Sequence, residues 1–169
     1  GKLVTVGAAL NQGTITPTSV FQVPYSLDLP DAGGPITDFH EHGGETLTAT
    51  GVLAESSNTG TVLIGQTMSD DQRYAMMRAL GFGEETGVEL PGESAGLLRS
   101  ADQWQGRDRY VTMFGQAYAI TAMQEASALA TIANGGVRIA PHIVKSWTNA
   151  DGTVEVPQGS QPVQAMDAT

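Results

Sequence analysis

The stretch LTATGVLAESSNTGTV, residues 47–62, places two serines and an asparagine between two apolar segments of helical character. Thr48 is a suitable N-cap for a first helix over Ala49–Glu55, because its hydroxyl can accept a hydrogen bond from the first turn. A second helix is predicted over Gly60–Gln66. A turn that ends one helix and caps the next explains the joint at residues 56–58, and so does a catalytic Ser-x-Asn element.

The chemistry of that joint depends on which side chains share a face. In an extended backbone, residues i and i+2 point to the same side, so Ser56 and Asn58 would face one cleft and Ser57 would turn away. A hydroxyl both donates and accepts, and can therefore pass a proton on, while a carboxamide can hold two partners at once. This pair suits a site of acyl transfer, but it needs a nucleophile and a base from elsewhere.

Lys2 is the candidate for that base. It begins a helix predicted over Lys2–Gln12, in which Leu3, Val6 and Leu10 form one apolar face. The positive end of the helix dipole disfavours a cation at this position by only about 0.3–1 kcal/mol. Burial and hydrogen bonding must therefore supply any large fall in the pKa of Lys2, and a solvated terminal lysine is the alternative.

The remaining chain predicts an alternation of helices, short strands and loops. A long irregular stretch separates the last two predicted helices over residues 84–118, and stretches of this length are usually functional or held by other parts of the molecule. Strands are predicted over Val20–Val23 and Tyr25–Leu29. One further helix has a capping box at Ser69 and Gln72 and ends at Leu80, and another has a capping box at Thr121 and Gln124 and ends before Asn134-Gly135-Gly136. A β-hairpin is predicted within residues 142–156, with its turn at Asp151-Gly152.

Composition excludes several classes of function. The chain has 169 residues and a formal net charge of −10, so it lacks the basic face that a nucleic-acid partner requires. It has no cysteine, which excludes disulfides and thiolate metal sites. No apolar run approaches the roughly 20 residues of a membrane helix, and we expect any export signal to lie outside this chain.

The pair His40 and His42 forms the pattern His-Glu-His, which on a strand would direct both imidazoles to one side as metal ligands. No third ligand is evident, and the glycines that follow at Gly43 and Gly44 favour a solvated loop. His142 is isolated and is interpreted as structural or exposed. We therefore expect neither a metal nor a cofactor.

Four segments together resemble the transpeptidase domain of class B penicillin-binding proteins of the cell-division type, which act in septal peptidoglycan synthesis. The start GKLVTVGAALNQGTITP is similar to the segment that follows the family's active-site serine, in which the motif is Ser-x-x-Lys. LTATGVLAESSNTGTV is similar to the second motif, Ser-x-Asn, with its flanking helices. RALGFGEETGVELPGESAGLL and MFGQAYAITAMQEASALATIANGG are similar to two longer family signatures.

The resemblance implies a role for each candidate residue. Lys2 would be the lysine of the first motif and would take the proton of a serine two places before Gly1, outside this chain. Ser56 would relay a proton to the leaving D-alanine, and Asn58 would hold Lys2 and the substrate amide. Gln116 would line the cleft as a substrate-binding residue.

The resemblance also implies an incomplete domain. The third family motif, Lys-Thr/Ser-Gly on a strand, is absent, since Lys145 is followed by Ser146-Trp147; in family order it would follow Thr169. Residues 1–169 are therefore expected to be a partial transpeptidase domain, inactive alone. Its α+β fold, of the type shared by penicillin-binding proteins and serine β-lactamases, would consist mainly of the helical cluster with short peripheral strands.

The implied partners are peptidoglycan stem peptides ending in D-Ala-D-Ala, β-lactam antibiotics and cell-division membrane proteins. The implied location is the extracytoplasmic face of the bacterial membrane, with an N-terminal anchor outside this chain. Two alternatives remain open at this point. The chain could belong to a serine β-lactamase or β-lactam sensor, although GVELPGE resembles the penicillin-binding sequence instead of a deacylating Ω-loop. It could also be a non-catalytic module that binds peptidoglycan or division proteins.

Overall fold

The computed structural model describes residues 1–156 and 161–167. The chain is built from six α-helices and eight short strands within those ranges, and this confirms the expected α+β class with helices dominant. The helices are α1 (Lys2–Asn11), α2 (Ala49–Ala54), α3 (Asn58–Gly65), α4 (Asp70–Ala79), α5 (Asp108–Val111) and α6 (Ala122–Ala133). The strands are β1 (Val20–Val23), β2 (Ser26–Leu27), β3 (Ile36–Thr37), β4 (Glu45–Thr48), β5 (Val137–Arg138), β6 (Trp147–Thr148), β7 (Val154–Glu155) and β8 (Val163–Gln164).

The chain divides into two compact units. The first comprises residues 1–77 and 99–119, and the second comprises residues 78–98 and 120–169. In the first unit, β1 pairs antiparallel with β4 and β2 pairs antiparallel with β3. In the second unit, β5 pairs antiparallel with β8, and β6 and β7 form the predicted hairpin. Among the described residues, no helix has the length and apolar character needed to cross a membrane.

Local capping signals located the starts of α2, α4 and α6, whereas α3 starts at Asn58, two residues before the predicted Gly60, and α5 was not predicted. Thr48 caps α2 by accepting the Gly51 N–H. The capping boxes at Ser69 with Gln72 and at Thr121 with Gln124 are both formed. The strand over Val20–Val23 is also confirmed, whereas the strand predicted over Tyr25–Leu29 is confined to Ser26–Leu27.

The apolar face predicted for α1 is confirmed at Val6 and is wrong at Leu3 and Leu10. Leu3 is 48% exposed and Leu10 is partly exposed, whereas Val4, Val6, Ala8 and Ala9 are buried. The reason is that α1 contacts α2, α3 and the 3₁₀ turn at Thr112–Phe114, so more than one side of the helix is covered. Small side chains on the covered sides let the neighbouring backbones approach closely.

The core of the first unit lies beside α3 and supports its position. Val62 is fully buried there and packs with residues from the β2–β3 connection and from the segment around α5. The members of this cluster are Ala32, Ile36, Val62, Tyr110, Val111 and Met113. Because the cluster joins segments far apart in sequence, it fixes α3 relative to β3 and the β2–β3 connection.

Candidate active site

The first residue of α1 reaches the joint between α2 and α3. The Lys2 amine donates a hydrogen bond of 2.8 Å to the Ser56 hydroxyl and a second one to the Ser56 carbonyl oxygen. These two residues are 54 positions apart in sequence. The structure therefore brings together the amine and the hydroxyl that the sequence singled out.

Ser56 has a backbone conformation that the sequence did not predict. Its φ of +54° lies in the left-handed region, so the extended joint expected over residues 56–58 is wrong. The physical reason is the way α2 ends: Ser56 N–H donates to the Leu53 carbonyl and Ser57 N–H donates to the Val52 carbonyl. This is the Schellman arrangement, whose left-handed position is usually occupied by glycine. A serine there is strained, as is common at functional sites.

The strained backbone at Ser56 predicts a difference in folding stability between two variants. Ser56→Gly and Ser56→Ala both remove the hydroxyl and its contact with Lys2, but only glycine relieves the left-handed penalty. That penalty is about 1–2 kcal/mol, and the entropy that glycine gains in the unfolded chain offsets about 0.5–1 kcal/mol of it. We therefore expect the glycine variant to be about 1 kcal/mol more stable than the alanine variant. Denaturant unfolding of both variants measures the difference, and equal stabilities would contradict the strain.

Ser57 and Asn58 follow as the cap and first residue of α3. Ser57 is buried, and its hydroxyl accepts the Gly60 N–H at 2.8 Å, so this side chain serves the helix. Asn58 is half-buried, and its side-chain amide donates to the Thr37 carbonyl at 3.0 Å. Both hydrogen bonds of the Lys2 amine go to Ser56.

A cleft of about 550 Å³ opens beside these groups. Its volume is within the range of ordinary small-molecule sites. Its lining combines the amine, hydroxyl and carboxamide with residues of the loop after β3. The cleft is lined by Lys2, Asp38, Phe39, His40, Glu41, His42, Glu45, Glu55, Ser56, Ser57 and Asn58.

Burial sets the protonation tendency of the amine. Desolvation lowers the pKa of Lys2 below its ordinary value, and the negative charge of Asp38 partly opposes this shift. A lowered pKa increases the fraction of neutral amine near physiological pH. The arrangement can therefore supply a base, and the hydroxyl of Ser56 lies in position to pass its proton on.

Asp38 is the residue that sequence reasoning missed. Burial alone would raise its pKa, but hydrogen bonds from the Thr59 N–H, the Ser57 hydroxyl, His42 and the Asn58 N–H outweigh burial and lower it. The carboxylate is therefore ionised in the folded protein. No local sequence motif predicts the role of this residue, because it precedes the first residue of α3 by twenty positions.

The His-Glu-His segment is exposed at its first two residues and partly buried at the third. His42 is half-buried and its Nε2 lies 3.2 Å from Asp38, whereas His40 is exposed and contacts the ring of Phe39 edge-on. The expectation of a fully solvated loop is therefore wrong for His42, because the carboxylate draws it inward. Within residues 1–156 and 161–167, no group of three or more histidine or acidic side chains is placed to hold a metal ion.

Gln116 is not among the residues that line the cleft. It is exposed, and its backbone N–H donates to the Val111 carbonyl at 3.0 Å. It follows Gly115, whose backbone approaches Gly1 so closely that a Cβ added at Gly1 would lie 2.2 Å from the Gly115 nitrogen. Gln116 thus follows a residue that lies against the start of α1.

The sequence comparisons with known proteins all point to the same protein family. A sequence profile described as the penicillin binding protein transpeptidase domain matches residues 1–169. Penicillin-binding protein PbpB of Mycolicibacterium smegmatis is 42% identical over 170 residues, which are 99% of this chain and 26% of that protein. Peptidoglycan D,D-transpeptidase FtsI of Escherichia coli is 31% identical over 137 residues, which are 80% of this chain and 22% of that protein.

A solved structure gives the same result for the fold. The crystal structure of penicillin binding protein 3 from Mycobacterium tuberculosis complexed with aztreonam matches with a TM-score of 0.94. The match has 36% sequence identity and covers 99% of this chain and 37% of that one. It confirms the fold expected from the sequence. The chain spans about a quarter of the length of the curated relatives, at 26% and 22%.

Proposed function

Because the chain belongs to the penicillin-binding protein transpeptidase family, we propose that the whole protein is a peptidoglycan D,D-transpeptidase that works by serine acyl transfer. The observation that carries this proposal is the 2.8 Å hydrogen bond between the Lys2 amine and the Ser56 hydroxyl at the wall of the cleft. It supplies a continuous path for a proton between a base and a second hydroxyl.

The proposed first step is acylation of a serine two places before Gly1. The neutral Lys2 amine takes the proton of that serine, and the serine oxygen attacks the carbonyl carbon of the penultimate D-alanine. Collapse of the tetrahedral intermediate breaks the bond to the terminal D-alanine, whose nitrogen receives the proton from Lys2 through the Ser56 hydroxyl. Asn58 holds Lys2 and the substrate amide, and the third family motif would bind the carboxylate and help to form the oxyanion hole.

The second step forms the cross-link. An amino group of a neighbouring stem peptide attacks the acyl-enzyme ester, a new amide bond forms, and the serine oxygen recovers a proton as it leaves. The lowered pKa of Lys2 supports its role in both steps, because a neutral amine can accept the proton that each attack releases.

Gln116 is proposed to contact substrate near the nucleophile. The close approach of Gly115 to Gly1 supports this role, because the proposed nucleophile precedes Gly1 by two positions. An exposed carboxamide one residue further can donate and accept hydrogen bonds with a peptide backbone.

The finer features follow from the same proposal. The ligands are stem peptides ending in D-Ala-D-Ala and β-lactams that imitate them, and the reaction takes place on the extracytoplasmic face of the membrane. Anchoring by an N-terminal segment and association with cell-division membrane proteins belong to the whole protein. The relatives named for D,D-transpeptidase activity support the reaction.

Labelling of the full-length protein with a fluorescent penicillin tests this function. We expect a covalent adduct on the serine two places before Gly1 that is released slowly, and no adduct on residues 1–169 alone. Fast release would favour the β-lactamase alternative, and absence of label would favour a non-catalytic binding module. Peptide mapping of the adduct identifies the nucleophile, and an adduct within residues 1–169 would overturn the proposed position.

A further inference from the structure

The carboxylate of Asp38 contacts residues 57–59, which are the N-cap and the first two residues of α3. One oxygen accepts the backbone N–H groups of Asn58 and Thr59, the latter at 3.1 Å. The other accepts the hydroxyl of Ser57 at 2.8 Å and that of Thr59 at 3.1 Å, and lies 3.2 Å from His42 Nε2. Asp38 itself belongs to neither the Lys2 segment nor the Ser-x-Asn motif.

These contacts satisfy the first turn of α3. The first N–H groups of a helix have no partner within the helix and need acceptors from outside it. Asp38 accepts those of Asn58 and Thr59, and the Ser57 hydroxyl accepts that of Gly60. A negative charge is also favourable at this end of the helix dipole. The start of α3 is therefore stabilised both by its N-cap Ser57 and by a side chain twenty residues upstream.

The same contacts determine where Ser56 points. Ser57 is held through both its side chain and the helix that it caps, so the strained residue before it cannot relax without moving the cap. The Lys2 amine contacts both the carbonyl and the hydroxyl of this residue. A shift of the α3 start would therefore separate the amine from the hydroxyl.

We infer that Asp38 is a positioning residue for the acyl transfer proposed above, because its carboxylate holds the Ser-x-Asn motif where Ser56 meets the Lys2 amine. The inference rests on the proposed function. It assigns to Asp38 no contact with substrate and no proton transfer of its own.

Asp38 also acts on Lys2 through its charge. Its negative field raises the pKa of Lys2 against the effect of burial. Removal of this charge should lower the pKa of Lys2, so the acid limb of the pH–rate profile should move to lower pH. The other titratable side chains that line the cleft are the same in every variant: His40, Glu41, His42, Glu45 and Glu55.

The test uses the full-length protein and the second-order rate constant for acylation by a fluorescent penicillin. Asp38→Ala removes all these contacts, and a displacement of about 1 Å at a reacting group costs roughly 100-fold in rate. Asp38→Asn keeps an oxygen for the backbone N–H groups but loses the charge and one acceptor, and we expect a loss of about tenfold, equivalent to roughly one hydrogen bond. A faster rate in Asp38→Asn than in Asp38→Ala would show that the hydrogen bonds of this side chain position the motif, and that its volume alone does not.

Asp28→Asn is the matched control, since Asp28 is an exposed carboxylate in the same unit. We expect its rate constant and its pH profile to equal those of the unsubstituted protein. The rate constant is taken per labelled molecule, so loss of folded protein alone does not change it. A shift of the acid limb in both Asp38 variants, absent in the control, is the signature that a merely structural role would not give.

Two results would overturn the inference. One is an Asp38→Asn protein whose rate constant and acid limb match those of the control. The other is an asparagine variant slowed without any shift of the acid limb. Failure of the proposed function gives a different result, because then the unsubstituted full-length protein is not acylated at all.

Discussion

Replacement of Lys2 by alanine in the full-length protein is expected to slow acylation by penicillin by about 10²–10⁴-fold, the usual contribution of a general base. The structure places the Lys2 amine at the Ser56 hydroxyl, and the side chain that replaces it has no group able to accept a proton. The rate constant for labelling by a fluorescent penicillin measures the loss. It should fall while binding of the penicillin before acylation changes little.

Lys145→Ala is the matched control for this substitution. Lys145 is the other lysine of the chain and is exposed in the second unit, so we expect its removal to leave the rate unchanged. A Lys2→Ala protein that is acylated as fast as the Lys145→Ala protein would show that another group takes the proton. That result would overturn the mechanism and leave the fold unaffected.

The pH dependence of acylation should reflect the protonation of Lys2. Because the neutral amine is the active form and burial lowers the pKa of Lys2, the rate should rise with pH and level off below the pH at which an ordinary lysine loses its proton. This rising limb should be absent in the Lys2→Ala variant. An unchanged limb in that variant would assign the titration to a different group.

Replacement of Gln124 by leucine is expected to destabilise the chain by about 2–5 kcal/mol, because several buried polar groups lose their partners. Gln124 is 1% exposed, and its side-chain nitrogen donates to the carbonyls of Glu84 and Ala95, each at 2.8 Å. Its side-chain oxygen accepts the Thr121 N–H at 2.7 Å. Leucine has a similar volume but can satisfy none of these groups. Denaturant unfolding measures the change in the free energy of unfolding.

Thr121→Ala separates the two functions of Gln124. This variant loses only the N-cap hydrogen bond to the Gln124 N–H, at a cost of about 1 kcal/mol, and keeps the contacts with the loop. If Gln124→Leu costs no more than Thr121→Ala, the contacts with Glu84 and Ala95 contribute nothing to stability. The larger expected loss identifies Gln124 as the residue that holds part of the long irregular stretch.

The sequence by itself determined the elements whose hydrogen bonds are local. The N-cap at Thr48, the two capping boxes and the hairpin around Asp151-Gly152 each depend on residues a few positions apart, and each is formed as predicted. The motifs were recognisable for a similar reason, since each lies within one short segment. Lys2, Ser56 and Asn58 are accordingly recognisable as a set from the sequence alone.

Only the tertiary structure decided how these segments meet. Side-chain packing brought Lys2 to Ser56 across 54 positions, and the left-handed turn at Ser56 arose from the way α2 ends against α3. The role of Asp38 could not be predicted from the sequence, because a carboxylate in a loop has no periodicity and no fixed spacing from the helix that it caps. The buried face of α1 was misjudged because burial depends on which neighbours cover a helix, and the pattern along one helix does not contain that information.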